Sequence, residues 1–476
     1  MVDDALIPAR YAAHIAAGVG YRFNAAGPVT DGVTPLGWAY LLAPFASGGP
    51  LQAFFAAKGI GLLAWVLAAG GLAAAIDRVS DKPARFTALA LIVLSAPLAA
   101  WSVGGLETGL VTALAATAVS ARAFGKDRIG SICAGLAAGF RPELLPWAAV
   151  VAASPGVVAA SPVVVAAPHD ALPGKQEETA PARRSALSAA LGRLTLATAP
   201  FLVAALIRAA VFGRAAPLSS LAKQADVGLG ARYALACFLL TGPIALLAPI
   251  AWKRLPAWPR GLLFAVAAHF VAVAVAGGDW MPLSRLVVPV LPTVALAAAH
   301  VASVASVPIT IVRVLLAVAG LIFVWVRVGP DAARVGADRL ALIEELRAPL
   351  RDAKVVAALD VGWVGAVTDA TLVDLAGVTD PTIAAFPGGH TTRQFPVTLL
   401  DSRGVDTIVL LLHADEPVAV PWTESRFDRG VEHRVAWIPD IAADFQPIAV
   451  SKRSPLRYLV LRRTRADTAA HDPFGR

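Results

Sequence analysis

Apolar stretches near the length of a bilayer crossing fill most of the first 328 residues, and they restrict the chain to very few folds. A helix needs about 20 mostly apolar residues to cross the hydrocarbon layer, fewer where neighbours cap it. On that measure roughly ten crossings are expected, at 51–76, 87–103, 109–121, 129–140, 144–165, 194–212, 231–252, 262–276, 286–307 and 309–328. The fourth is short, and Phe140-Arg141-Pro142-Glu143 interrupts a longer run, so a helix that reaches the surface and turns back is expected there. With 57% of 476 residues hydrophobic and 16% charged, a soluble globular protein of this size is excluded. Ala, Gly, Leu and Val dominate while aromatic residues make up 7%. That suits close helix packing and not the alternating strands of a membrane barrel. Cys133 and Cys237 sit in apolar runs and read as packed thiols, with no disulfide framework implied.

Charge is distributed by side. The formal net charge is +8, but the basic residues fall in short loops between apolar runs, a topology signal and not a nucleic-acid footprint. Lys and Arg are retained in the cytoplasm. The loops assigned to that side therefore hold Arg78, Lys82 and Arg85; Arg122, Lys126 and Arg128; Lys175, Arg183, Arg184 and Arg193; and Lys253, Arg254 and Arg260. The alternate loops share the opposite face: the Asp3-Asp4 stretch, Gly105-Leu106-Glu107, Arg141-Pro142-Glu143, 214–230, Gly277-Gly278-Asp279-Trp280 and everything after residue 328. An N-terminus already outside at residue 3, without a signal peptide, leads to the expectation of an upstream crossing missing from this chain. The Pro- and charge-rich stretch 168–178, within 154–193, reads as a mobile cytoplasmic loop. No internal repeat, nucleotide-binding Gly loop or Walker-type motif is evident, which argues against an ATP-driven pump.

Beyond residue 328 the composition becomes that of a water-soluble domain. Leu340, Ile343, Leu346 and Leu350 recur at helical spacing between charges and predict an amphipathic helix. Strand-like runs follow at 355–359, 371–375, 407–412 and 457–461, with a helix expected at 391–402. The fold class is therefore a polytopic α-helical membrane protein of about ten transmembrane helices with a C-terminal soluble α/β domain. It divides into a first outer loop with interfacial helices (1–50), a transmembrane helical domain (51–328) and an extracytoplasmic α/β domain (329–476).

Several motifs share the outer face. They are Asp3-Asp4-Ala5 with Arg10-Tyr11-Ala12, Gly20-Tyr21-Arg22-Phe23-Asn24, Asp31-Gly32-Val33-Thr34-Pro35-Leu36-Gly37-Trp38, Gly105-Leu106-Glu107-Thr108 and Arg141-Pro142-Glu143. Leu221-Ala222-Lys223, Gly277-Gly278-Asp279-Trp280-Met281-Pro282 with Arg285, and Asp374-Leu375-Ala376-Gly377-Val378-Thr379-Asp380-Pro381 follow. In this order and on one side, they resemble GT-C class membrane glycosyltransferases, closest to the cell-wall arabinofuranosyltransferase-like group, over nearly the whole chain. The resemblance implies a GT-C-like core and an inverting enzyme of the cytoplasmic membrane. Such an enzyme takes a sugar, arabinofuranose among the candidates, from a polyprenyl-phosphate donor and passes it to a cell-envelope glycan or lipid acceptor on the outer face. The resemblance also implies that a carboxylate of the first outer loop deprotonates the acceptor. Asp3 and Asp4 are the matching positions, and the choice between them stays open. Ala5 and Val33 stand where the family pattern usually has Tyr, and His14 where it usually has Asn.

Sugar transfer from a lipid phosphate needs a base at the acceptor hydroxyl and positive charge at the leaving phosphate. Asp3 or Asp4 supplies the first; the competing reading is that one of them caps the helix beginning near Ala5. Arg141, Lys223 and Arg285 each sit where an apolar run meets the outer face and form the expected phosphate clamp, against ordinary snorkelling toward headgroups. Arg10, Tyr11, Glu107, Glu143, Asp279, Trp280 and His390 are the expected substrate-binding residues. Glu107 and Glu143 either orient the guanidinium groups or balance local charge. Asp279-Trp280 follows two glycines that let backbone and ligand come close, although Trp favours the interface by itself. His390 lies in a Gly-rich loop for which helix capping at Thr391 competes. His269 and Arg208, inside apolar runs, either mark a polar path or make interhelical hydrogen bonds.

No His, Cys or carboxylate spacing demands a metal, and the resemblance leaves a divalent cation at Asp3 and Asp4 open. The expected partners are the lipid-linked sugar, the envelope acceptor, held in part by the outer domain, and the bilayer; nucleic acid is not among them. Two other functions compete. A lipid or solute transporter places charges near the bilayer midplane on broken helices. A non-catalytic scaffold that binds envelope polymer is favoured if Asp3 and Asp4 face no cavity.

Overall fold

The computed structural model describes residues 3–155, 180–223, 226–248, 252–413, 417–452 and 456–464. The loop expected at 168–178, with Lys175, lies outside the described residues, as do the side chains of Arg183 and Arg184. Four helices are long and apolar enough to cross a membrane: Pro50–Val79, Leu187–Phe212, Ala257–Val275 and the 44-residue rod Val307–Leu350. A fifth crossing results if Lys82–Val93 and Ala96–Ser102, bent by 53°, are taken as one. These helices are consistent with a multi-pass membrane protein, and they correct the expected ten crossings to four or five.

The remaining apolar stretches are helical but short: Thr108–Ala123, Asp127–Phe140, Leu145–Ala153, Val227–Leu240 and Leu291–Val304. Hydropathy counts apolar residues whether or not they are helical, and here turn chemistry cuts the runs. Ser95 starts a new helix by accepting from the Leu98 amide, with Pro97 in its first turn. Gly242, at φ +105°, and Pro243 end the run that begins at Val227.

Thr108–Ala123 forms the buried centre of the bundle. It meets Pro50–Val79 so closely that a Cβ on Gly109 would lie 2.9 Å from the Gly61 Cα, an approach open only to small residues. The same helix carries Glu107 at its head and Arg122 at its tail, which orients the bundle. Around the tail, cations tie loops together: Arg122 lies over Trp258 and Arg78 over Phe124, and Arg193 donates to the Ala152 carbonyl at 3.0 Å. Around the head gather Asp4, Arg141, Lys223, Asp279 and Arg285.

The first segment forms a joint between the bundle and the C-terminal part. The turn Asp3–Ala5 and the helix Leu6–Ala16 are largely buried, packed between Pro50–Val79 and the C-terminal helix Val361–Val367. The end of the long rod buries Leu342, Ile343, Leu346 and Leu350, as their spacing predicts. Five strands follow: β1 (Val355–Ala358), β2 (Thr371–Asp374), β3 (Thr407–Leu411), β4 (Phe445–Val450) and β5 (Tyr458–Arg463). They form one sheet in the order β2-β1-β3-β5-β4. β1 is parallel to β2 and β3, and β5 is antiparallel to β3 and β4. Val356 and Ala358 face the core shared with the first segment, whereas Ala357 faces a second core under the outer helices, the alternation of a sheet covered on both faces.

β4 has no counterpart among the expected strands because it is an edge strand with mostly solvent-facing residues, such as Gln446 and Pro447, and no apolar alternation. Of the helix expected at 391–402, only Leu399–Ser402 forms, after Pro396.

Candidate functional site

A cavity of about 200 Å3 opens where the first segment, the loops at the head of the bundle and the C-terminal domain meet. Asp4, Glu107, Arg141, Glu143, Lys223, Asp279 and Arg285 line it, brought from separate stretches of chain. Asp3 does not line it. The two aspartates sit in a 3-10 turn, where consecutive side chains diverge by about 120°. Asp3 is 4% exposed and accepts the backbone N–H groups of Trp363 (2.7 Å) and Gly362 (3.0 Å). It therefore caps Val361–Val367, a helix of the C-terminal domain, and not the helix beginning near Ala5. Gly362 is required for this approach, because a Cβ there would lie 2.1 Å from the Asp3 carbonyl oxygen. Burial, with Asp360 nearby, pushes the Asp3 carboxyl up to about 7.

Arg141 is committed. Its guanidinium donates to Glu107 at 2.7 Å and to Glu143 at 2.7 Å, so the two carboxylates orient it and consume its charge. Among the described residues Arg285 uses only Nε, donating to Asp279 at 2.7 Å. Burial would raise the Asp279 carboxyl, but Arg285, Lys223 and Arg141 outweigh it and hold the group below the usual range. Lys223 acts on Asp279 without a direct ion pair among the described residues.

The loop that delivers Asp279 and Arg285 is strained. Gly277, Gly278, Leu283 and Ser284 all have positive φ, between 56° and 88°, and non-glycine residues hold that conformation only where the surroundings impose it. Trp101 Nε1 donates to the Leu283 carbonyl at 2.9 Å. The His269 ring nitrogens lie 2.8 Å from the Leu286 carbonyl and 3.2 Å from that of Glu143, tying two cavity loops together. Arg208 pairs with Asp31 at 3.0 Å and donates to the Thr34 carbonyl. The Thr34 hydroxyl is 2.8 Å from that of Ser219, which anchors the turn leading to Lys223.

The other expected substrate-binding residues lie elsewhere. Arg10 donates to the carbonyls of Phe23, Gly365, Thr368 and Ala370, and so stitches the first segment to the C-terminal domain. The Tyr11 hydroxyl is 2.7 Å from Thr30 Oγ1 and accepts from the Gly32 amide, shaping the loop behind the cavity. Trp280 is 57% exposed and outside the lining. His390 is also outside it; burial and the nearby Lys223 lower its imidazole pKa, and Asp4 opposes them. Of the three departures from the family pattern, Val33 lines the cavity, Ala5 is buried in the core, and His14 Nδ1 lies 2.8 Å from the Arg22 carbonyl.

Two features have no place in the sequence reading. Ser219 joins the lining, and a lone hydroxyl residue carries no signal that marks it. The second is an apolar groove of about 640 Å3 between Asp127–Phe140 and Leu187–Phe212, with Tyr21 and Tyr40 stacked at 5.5 Å at its margin. The chain passes from groove to cavity twice in a single peptide step, from Leu36 to Pro35 and from Phe140 to Arg141. Among the described residues no group of three or more His, Cys, Asp or Glu is placed to hold a metal ion.

A family model described as a domain of unknown function (DUF8728) matches residues 332–466, which include the whole sheet. No curated protein and no solved structure matches the chain. The similarity found is thus to that domain family, over the C-terminal part alone.

Proposed function

We propose that the chain is an inverting membrane glycosyltransferase that uses a polyprenyl-phosphate sugar. The observation that carries this reading is that an apolar groove and a charged cavity lie side by side, their linings meeting at Leu36-Pro35 and at Phe140-Arg141. It suits an amphiphilic donor, with the lipid tail in the groove and the phosphate and sugar in the cavity.

Within the cavity Glu107, Glu143 and Asp279 are each held by an arginine, whereas Asp4 has no ion-pair partner among the described residues. Asp4 is therefore the base. It takes the proton of the acceptor hydroxyl while that oxygen bonds to the anomeric carbon. The bond from this carbon to the phosphate oxygen breaks, the electron pair leaves with polyprenyl phosphate, and attack from the opposite face inverts the centre. Lys223 and the terminal nitrogens of Arg285 stabilise the leaving phosphate. Arg141 is unsuited to that task. Breaking a buried ion pair costs about 3–5 kcal/mol, and one charged hydrogen bond to phosphate returns only about 1.5–3 kcal/mol. Asp3 is a positioning residue that holds the turn carrying Asp4 against the C-terminal domain.

Arabinofuranose as the sugar, and a cell-envelope acceptor on the outer face of the cytoplasmic membrane, follow from the resemblance and from the basic loops at the far end of the bundle. A transporter reading is less well supported, since the cavity's charges gather at one end of the bundle and not midway along broken helices. The direct test is transfer from synthetic polyprenyl-phosphate arabinofuranose by purified, lipid-reconstituted protein, with product read by mass spectrometry. Full activity of Asp4→Asn with a donor that the wild type uses would sink the assignment of the base.

A further inference from the structure

A polar hollow of about 560 Å3 opens in the C-terminal domain, between the end of the long rod and the loop that leads from Val361–Val367 into β2. Its volume is that of a ligand pocket. Arg347, Arg351 and Lys354 line one side and 367–371 the other, and Asp369 is the one carboxylate in the lining among the described residues.

Elsewhere this domain matches its cations: Arg403 with Asp380, Arg429 with Asp360 and Glu432, and Arg463 with Asp401 and Asp444. Arg347, Arg351 and Lys354 are exposed, and among the described residues their side chains make no hydrogen bond or ion pair. Asp406 is within reach of Lys354 but is spent. Its carboxylate accepts the backbone amides of Lys354 at 2.8 Å and Val355 at 3.4 Å and the Thr407 hydroxyl at 2.7 Å. Arg347 and Arg351, four residues apart where the rod ends, share a face and repel each other. The negative end of the helix dipole offsets about half a unit of charge, and three cations exceed it.

Behind the loop lies a fourth cation. Arg10 donates to the carbonyls of Thr368 and Ala370, both in the lining, and has no ion pair among the described residues. Asp369 acts on Arg10 and on His14, so part of its single charge is already answered from behind. The hollow thus keeps an excess of positive charge that no described residue of the chain meets.

Guanidinium groups take phosphate oxygens in pairs, and an ammonium serves as a point charge for the same anion. The hydroxyls of Thr368 and Thr371 add donors. A single phosphate would leave part of the excess unmet. A lipid headgroup is also a poor fit: from Arg327, where the apolar half of the rod ends, to Arg347 the helix rises by about 30 Å, whereas the polar layer of one leaflet is about 5–8 Å deep.

We infer that this hollow binds a soluble ligand carrying two or more phosphate groups, with Arg347, Arg351 and Lys354 as its charged contacts. The site is separate from the Asp4 cavity and does not depend on the transferase reading.

The test reads each arginine by itself. Full-length protein in phosphatidylcholine nanodiscs, at about 0.15 M salt, is treated with phenylglyoxal with and without sodium tripolyphosphate, and modification is followed by mass spectrometry. Tripolyphosphate is expected to slow modification of Arg347 and Arg351 about tenfold and to leave Arg334, exposed on the same rod, unchanged. Inorganic phosphate should need a concentration about tenfold higher for equal protection, the worth of one charged hydrogen bond. Lys354→Glu should raise the half-protecting concentration of tripolyphosphate by about the same factor at an unchanged melting temperature. Arg351→Gln, read at Arg347, should do likewise. Protection of Arg334 to the same degree, none at Arg347 and Arg351, equal potency of the two anions, or indifference to both substitutions overturns the inference. So does protection of Arg347 by phosphatidylglycerol nanodiscs without added ligand, which would make a lipid headgroup the source of the phosphate.

Discussion

Two clusters of charge lie on either side of the Asp3-Asp4 peptide, one lining a hollow and the other sealed inside the C-terminal domain. In the sealed cluster Arg429 donates to Asp360 at 2.9 and 3.1 Å and to Glu432 at 2.7 and 3.2 Å. Tyr458 donates to Asp360 and accepts from Arg339 at 2.9 Å, while Glu432 also accepts the Leu411 amide. Three acids with two cations would leave an excess negative charge in a dry place. Burial relieves it by pushing Asp3 up to about 7, so that this carboxyl is largely protonated below neutral pH. The cavity cluster differs in its leftovers: among the described residues Asp4 and Lys223 have no ion pair, and Arg285 has spent one nitrogen of three. A network that satisfies itself holds parts together, whereas one with unspent groups facing a hollow can act on a ligand. Neighbours in sequence are thus divided between the two tasks.

The division breaks first at the aspartates. Asp4→Asn is expected to lower turnover by about 10²–10⁴-fold with an unchanged melting temperature. Asp3→Asn should lower the melting temperature and keep a far larger share of turnover. Equal losses of turnover without loss of stability would erase the distinction.

Next in size is the removal of a shared cation. Arg141→Met strands Glu107 and Glu143, and Arg429→Met strands Asp360 and Glu432; each is expected to cost about 3–5 kcal/mol, read by chemical unfolding in detergent. A cost at Arg141 below about 1 kcal/mol would show that water reaches the cavity carboxylates freely.

Smaller again is Gly362→Ala, which forces the Asp3 carbonyl away from the helix it meets. A loss of about 1–3 kcal/mol is expected from overpacking, together with a fall in kcat at unchanged KM for the donor. Loss of stability alone would sever the proposed link from Asp3 to Asp4.

A pH slope is the last test. Asp3 at about 7 and Asp374 at about 6, both raised chiefly by burial from 3.8, bind protons more tightly in the folded state. Their contribution to stability is present below about pH 4 and is lost as pH rises through about 6 and then about 7. The melting temperature should fall across that window, and Asp3→Asn should flatten its upper part. An unchanged slope in that variant would place the titration elsewhere.

Much of the cavity is legible without coordinates because charge at the edge of an apolar run has few physical excuses. Asp4, Glu107, Arg141, Glu143, Lys223, Asp279 and Arg285 stand out by that rule, and all of them line one hollow. Arg10, Tyr11 and Trp280 stand out equally and do not, since their spacing is the same whether they meet a ligand, a carbonyl or a lipid headgroup. Hydropathy overcounts the crossings because apolar content is additive along the chain, whereas a helix stops at a single Gly242-Pro243 or a Ser95 cap.

The order of residues alone settles the apolar character of the helices, the helix–sheet composition of the C-terminal part and the list of charges that need partners, for these follow from local hydropathy and periodicity. The partners themselves are decided by contacts across hundreds of residues: Asp3 with Gly362 and Trp363, Arg208 with Asp31, Arg141 with Glu107. Electrostatic satisfaction depends on distance in space, and no local pattern tells which of two adjacent carboxylates will find a helix N-terminus and which will be left facing a cavity.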